Sequence, residues 1–341
     1  SHELAERGHR MSVVLIGPSE DGGWETALPG LRVGPMAPDW REVRDDVAAA
    51  IRIVARALSA DRPEVVLVTE PAGALLVRLS AVIRWIRRPA IVSWVHGDVT
   101  RIHHSWAARF CDGHLAISRG IADQLKTLSR SPVSLVYNPI ALPELWCRRP
   151  NRSNDTKFLF IGRLERQKRV DRILVALSKV PSVNWTCDVI GDGALRAELE
   201  ALAVVLAISD RVRWHGWQAP AWDSVTEASA LLMTSEMEGF PIVLLEAIAR
   251  GVPLVAMDCD FGPREIIDDK RNGWLVPKDD IEAFARVLEG LCNGTLVSPS
   301  IESVRATSQM FSASQVVGRI EEAILSAASM RSRRPSVGRQ L

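Results

Sequence analysis

Apolar residues in this chain fall into two alternating patterns. Short unbroken runs occur at "MSVVLIG" (11–17), "EVVLVTE" (64–70), "AIVSWVHG" (90–97), "GHLAIS" (113–118) and "VSLVYN" (133–138). Such runs suit strands buried on both faces. Helix-like stretches separate them, at 41–60, 71–88, 101–111 and 119–129. This βαβ punctuation predicts a parallel sheet covered on both sides. The pattern breaks at "ALPELWCRRPNRSNDT" (141–156), whose Pro, Arg, Asn and Ser content reads as an interdomain linker. It resumes with "KFLFIGR" (157–163), "WTCDVIGDG" (185–193), "RVRWHGW" (211–217), "ALLMTSE" (230–236), "PLVAMD" (253–258) and "GWLVP" (273–277). A last helical segment, 302–328, has no strand after it.

The fold class that follows is α/β, with two Rossmann-like, doubly wound domains. The expected bounds are 1–145 for the first domain and 156–305 for the second. A C-terminal helix at 306–330 is placed to cross back to the first domain, and 331–341 reads as a disordered basic tail with four arginines and no acid. In open α/β sheets, ligands bind outside the C-terminal ends of the strands. Two such domains facing each other enclose a cleft, lined by the loops that follow strands.

Composition alters this picture little. The 341 residues, 47% hydrophobic and 24% charged, fit two ordinary globular domains. A net charge of +1 gives no reason to expect a nucleic-acid partner. Five scattered cysteines without a C-x-x-C read as reduced thiols in a cytoplasmic protein. No uncharged apolar run reaches the roughly 18 residues of a membrane span.

The unusual residues lie at strand ends. After "KFLFIG", Arg163 and Lys168 flank a short loop that opens a helix. Two cations beside helical N–H groups make an anion site, and a diphosphate is the natural guest. "VIGDG" supplies Gly191 and Gly193 for close backbone approach. There is no Walker A sequence and no full G-x-G-x-x-G at this position. "SEMEGFPIVLLEAIARG" carries a puzzle: Pro241–Arg250 reads as a buried helix with Pro241 at its first position, yet Glu246 sits inside it. A buried carboxylate needs a partner, and a vicinal diol such as a ribose would supply two hydroxyl donors. Glu238 and the Gly239, Phe240 and Pro241 backbone precede that helix. In the first domain His96 ends a strand, with Asp98 two residues on. No His pair has metal-ligand spacing, so no metal is expected.

Glu238-x7-Glu246, "FIGRLERQKR", the "IGDG" turn, "GPREII" (262–267) and "NGWLVP" (272–277) together resemble the retaining GT-B glycosyltransferases of the group 1, EX7E type. "WHGWQAPAW", "SALLMTSEMEGFPIVLLEA", "DCDFGPREII" and "HLAISRGI" carry the likeness further, to lipopolysaccharide-core α-1,6-galactosyltransferases that use UDP-galactose. The resemblance covers the second domain well and the first more loosely from Ala90 onward. It implies that Arg163 and Lys168 bind the donor diphosphate and that Glu246 holds the ribose. Glu238 with Gly239–Pro241 would hold the hexose, and His96 would lie by the reacting carbon. Trp217, in "HGWQ", would wall the uracil. It further implies a hexose moved from a UDP-sugar to an oligosaccharide or lipid-linked acceptor, with retention and without a metal or other cofactor. The family begins with a strand and a Gly-rich loop, whereas this chain opens at "LAERGH" (4–9), so the expectation is an N-terminal truncation.

Two other readings stand beside this one. A non-catalytic UDP-sugar-binding module, or a nucleotide-sugar epimerase of the same architecture, would show similar strand-end loops. "ALLVRLSAVIRWIRRP" (74–89), with four arginines and no acid, reads as an amphipathic helix that lies on an anionic membrane. That would make the protein peripheral on the inner face of the cell membrane.

Overall fold

A computed structural model describes residues 2–13, 32–33, 47–83, 87–150, 156–181 and 184–332. The chain divides into two compact units: Ser1–Tyr137 with Val316–Leu341, and Asn138–Gln315. Parts of the expected first strand, the 41–60 helix, the linker and the basic tail fall outside the described residues.

In the first unit β1 (Ser12–Val13) pairs in parallel with β2 (Arg32–Val33). A parallel four-stranded sheet follows in chain order: β3 (Val65–Val68), β4 (Ala90–Val95), β5 (Gly113–Ala116) and β6 (Val133–Leu135). Every residue of β5 is buried, as expected of a strand covered on both faces. The C-terminal helix Ala313–Ser332 supplies part of one cover: Val316, Ile320 and Ala327 pack on Val92, Leu115 and Val136. Glu321 on that helix takes Arg7 at 2.9 Å and His9 at 2.7 Å, and those two partners lower its pKa.

The second unit has one six-stranded parallel sheet. Its strands are β7 (Thr156–Ile161), β8 (Trp185–Ile190), β9 (Val212–Gly216), β10 (Ala230–Met233), β11 (Leu254–Met257) and β12 (Gly273–Val276). Their order across the sheet is β9-β8-β7-β10-β11-β12. This is the 3-2-1-4-5-6 order of the Rossmann fold, which reverses direction between β7 and β10. The central strands β10 and β11 are buried at every position.

Three local expectations are corrected. The helix expected at 101–111 is two 3-10 turns, Val99–Arg101 and Ser105–Phe110. His104 between them is left-handed at φ 60°, which no α-helix accommodates. The segment 302–328 is broken: helix Ile301–Ala306, a turn at Gln309–Phe311, then the C-terminal helix. Thr307 and Ser308 hydroxyls donate to the Val304 and Arg305 carbonyls at 2.6 and 2.7 Å, competing with helical bonding at the break. Pro241 is not the first helical residue but the N-cap, extended at ψ 103°, and the helix runs Ile242–Ala249.

The Pro- and Arg-rich stretch after Ile140 is not a free tether. Cys147 N–H donates to the Arg250 carbonyl at 3.0 Å and Arg148 N–H to that of Thr226 at 3.0 Å, so it lies along the second unit.

Candidate functional site

The strand order changes direction between β7 and β10, where ligands of open α/β sheets bind, and the loops that follow these two strands meet. After β7 the chain passes Gly162 into a 3-10 turn, Arg166–Lys168. After β10 it passes Thr234 toward Pro241. Several bonds hold these two loops together. Glu236 N–H donates to the Gln167 carbonyl at 2.9 Å, and the Gln167 side-chain amide donates to the Met237 carbonyl at 2.9 Å. Thr234 Oγ1 donates to the Arg169 carbonyl at 2.7 Å. Lys168 Nζ donates to Glu238 Oε1 at 2.7 Å. The two side chains of that ion pair are 20% and 9% exposed. A group expected at a diphosphate thus contacts one expected at a hexose.

A third loop joins on the other side. Gly162 N–H donates to the Ile190 carbonyl at 3.0 Å, Leu164 N–H to Asp192 at 2.8 Å and Leu195 N–H to Leu164 at 3.0 Å. Gly191 adopts φ +142°, and a Cβ there would overlap the Gly162 carbonyl. The "IGDG" turn therefore needs glycine to let two backbones touch. Gly262 plays the same part on the far loop: at φ +95° its missing side chain makes room for the Pro241 ring.

Helix Ile242–Ala249 ends as its sequence predicts. Gly251, at φ +77°, donates to the Ile248 carbonyl, and Val252 N–H donates to that of Ala247 at 2.9 Å, a Schellman closure. Leu244, Leu245, Ala247, Ile248 and Ala249 are buried, and Glu246 is half-buried among them. Its partner is Trp222, whose indole N–H donates to Glu246 Oε2 at 2.9 Å. Arg250, one turn on, lies 4.8 Å over the Trp222 ring and donates to the Glu246 main-chain carbonyl at 3.2 Å. Burial lowers the Arg250 pKa against the pull of Glu246 and Asp223.

The other candidates are placed as follows. Arg163 is 67% exposed and pairs with Glu165 at 2.9 Å rather than with Lys168's partner. Phe240 is buried, with its ring 5.8 Å from that of Phe311, and its carbonyl accepts from the Asn138 amide at 3.3 Å. Gly239 is half-buried and Pro241 buried. Trp217 is 74% exposed just beyond β9, and beside it His215 contacts Asp188 at 2.6 Å. His96 belongs to the first unit, exposed just beyond β4, with the Trp94 ring at 5.0 Å. Protein packed around the inner side of the ring lowers its pKa. Asp98 caps the turn that follows, accepting from Thr100 and Gln124. Among the described residues no group of three or more His, Cys, Asp or Glu converges as metal ligands would.

Gln167, Trp222 and Arg250 were not anticipated. For Trp222 the sequence offered only one signal, the need of a carboxylate in an apolar helix for a donor. Cys259 also borders the site. Burial, and then the charge of Glu238, push its thiol up to about 12, so it stays neutral there.

The pattern described as group 1 glycosyl transferases matches residues 148–299, and that of glycosyltransferase family 4 matches 1–143. The lipopolysaccharide 1,6-galactosyltransferase of Escherichia coli K12 is 34% identical over 249 residues, 71% of this chain and 69% of that protein. The solved apo form of the lipopolysaccharide outer core galactosyltransferase WaaB superposes with a TM-score of 0.80. It is 26% identical and covers 93% of this chain and 99% of its own. Anabaena HepE, solved with UDP, shares the fold at a TM-score of 0.74 with 18% identity, over 92% of this chain and 99% of its own. With paired Rossmann-like units of GT-B type and more than two thirds of a relative matched at this identity, the chain belongs to the group 1 glycosyltransferases.

Proposed function

We propose that this glycosyltransferase moves a hexose, galactose, from a UDP-sugar to a lipopolysaccharide-core or other lipid-linked oligosaccharide, with retention and without a metal. The observation that carries the reading is the Lys168–Glu238 pair, 2.7 Å apart where the loops after β7 and β10 meet. In the transfer, the bond from the anomeric carbon to the β-phosphate oxygen breaks and a bond to an acceptor oxygen forms. The acceptor's proton is released and UDP departs with an added negative charge. Fixed cations favour that charge most in the transition state. Lys168 and Arg163 take this role, Glu246 accepts from the ribose, and Glu238 with the Gly239–Pro241 backbone meets the hexose. Trp217 offers an open indole face to the base. The role we assign to His96 is beside the anomeric carbon.

The test is thermal shift with UDP, UDP-galactose, UDP-glucose and UDP-N-acetylglucosamine, with and without EDTA. Ligand that binds only the folded state raises the melting temperature. The expected result is a shift that is largest with UDP-galactose, survives EDTA and is lost in Glu246→Ala. A shift abolished by EDTA removes the metal-free reading. Binding without transfer to any acceptor would favour the non-catalytic module.

A second feature supports contact with an anionic membrane. Helix Gly73–Ile83 buries Ala74, Val77, Ser80 and Ala81 but leaves Leu79, Val82 and Ile83 exposed. It packs on the turn Ser105–Phe110, which exposes Trp106 and Phe110. Beside them is a cavity of about 510 Å³ lined by Arg78, Arg109 and Arg130 and by Asp112, which pairs with Arg78 at 2.9 Å. An apolar face with arginines beside it suits an interface of lipid tails and phosphates. Arg84, Trp85 and Ile86 of the expected basic helix lie outside the described residues. Among the described residues no helix is long and apolar enough to cross a membrane. Flotation with phosphatidylglycerol liposomes at low salt is the check, and no binding there removes this reading.

A further inference from the structure

We propose that Trp222 is a positioning residue for donor binding, one that sets the orientation of Glu246 and so the enzyme's ability to recognise the donor's ribose hydroxyls. The inference rests on the assignment of Glu246 to the ribose. Its own support is the geometry around that carboxylate. Glu246 stands in a helix whose neighbours are almost all apolar, so its side chain has few polar groups to settle against. The indole N–H of Trp222 reaches Oε2 at 2.9 Å. A buried tryptophan is donor only, so it can fix a carboxylate without taking its proton or adding a competing acceptor.

The ring is itself held from both ends. Trp222 lies inside the 3-10 turn Ala221–Ser224, whose closing bond runs from Val225 N–H to the Trp222 carbonyl at 3.1 Å. The Arg250 guanidinium lies 4.8 Å from the ring centre, in cation–π range. Arg250 is the nearest obvious ion-pair partner for Glu246, being one turn away on the same helix. It nevertheless hydrogen-bonds the Glu246 main-chain carbonyl and not the carboxylate. The arrangement therefore directs the cation onto the indole and the indole onto one carboxylate oxygen. Oε1 accepts from none of the described residues and stays open to a diol. A direct Arg250–carboxylate fork would occupy both oxygens instead.

The test measures Kd for UDP and for 2′-deoxy-UDP by titration calorimetry in wild type, Glu246→Gln and Trp222→Phe, which keeps most of the ring volume but not the N–H. A hydrogen bond from a hydroxyl to a carboxylate makes wild type favour UDP by roughly tenfold or more. That preference should shrink in Glu246→Gln and also in Trp222→Phe, with little change in melting temperature for the latter. Full preference retained in Trp222→Phe overturns the proposal while leaving the Glu246 assignment intact. No preference in wild type itself overturns that assignment, and the proposal with it. Should Trp222→Phe not fold, indole ¹⁵N–¹H spectra of wild type and Glu246→Gln decide. One of the eleven tryptophan signals should move on the Glu246 substitution and should also respond to UDP more than to its deoxy analogue. No signal that does both rejects the idea.

Discussion

Lys168 Nζ lies 2.7 Å from Glu238 Oε1, although 70 residues separate them in the chain. The pair ties the loop after β7 to the loop after β10. Stability and activity should separate on substitution. Lys168→Met leaves a carboxylate that is 9% exposed without its cation, costing about 1–3 kcal/mol. The double variant Lys168→Met/Glu238→Gln should recover most of that stability. Activity should stay down by about 10²–10³ in kcat/KM, the usual cost of removing a cation or donor that stabilises developing charge. Urea unfolding beside a transfer assay measures both. A double variant as active as wild type would show that the pair has only a structural role.

Arg163 should behave in the opposite way. It is 67% exposed and among the described residues pairs only with Glu165, so Arg163→Ala should change stability by less than about 0.5 kcal/mol. Its expected effect is on the donor: a roughly tenfold weaker Kd for UDP, as for one lost charge-assisted hydrogen bond. Unchanged UDP affinity removes Arg163 from the diphosphate site.

Gly191 tests the packing beneath the site. With φ at +142° and the Gly162 carbonyl where a Cβ would go, Gly191→Ala must push two loops apart. A cost on the order of 2–3 kcal/mol is expected, together with weaker UDP binding. Urea midpoint and UDP titration on the same sample give the two numbers. A variant with a wild-type midpoint contradicts the close approach.

His114 gives the first unit a pH dependence. It is 1% exposed on β5, with Nδ1 2.7 Å from Ser93 Oγ, and burial pushes its pKa from 6.5 down to about 4. The folded state therefore holds it neutral, while the unfolded chain takes up a proton below pH 6.5. Its contribution is complete above pH 6.5, is lost as pH falls toward 4, and changes no further below that. At 1.36 kcal/mol per unit the loss is on the order of 3 kcal/mol. Urea midpoints from pH 7 to 4 should fall in wild type and fall less in His114→Gln. Parallel curves for the two proteins would reject the assignment.

Most strands and several helix ends are legible along the chain. Continuous apolar runs announced strands buried on both faces, and Gly251 announced a helix stop that the Schellman bonds then complete. Such signals are local: they depend on residues a few positions apart, which sequence spacing records directly. The sequence also marked Glu238, Glu246 and Lys168 as residues needing explanation, through their chemistry and their place after strands. Their partners follow from the folded sheet. The strand order that places the loop after β7 beside the loop after β10 is a property of the whole sheet. Lys168 finds Glu238 across that junction, and Glu246 finds Trp222 24 residues upstream. Leu79, Val82 and Ile83 of helix Gly73–Ile83 are exposed although apolar, because burial is decided by what packs against the helix. A carboxylate's need for a donor is written in its own chemistry, whereas which donor meets it depends on distances that arise only when the sheet has formed.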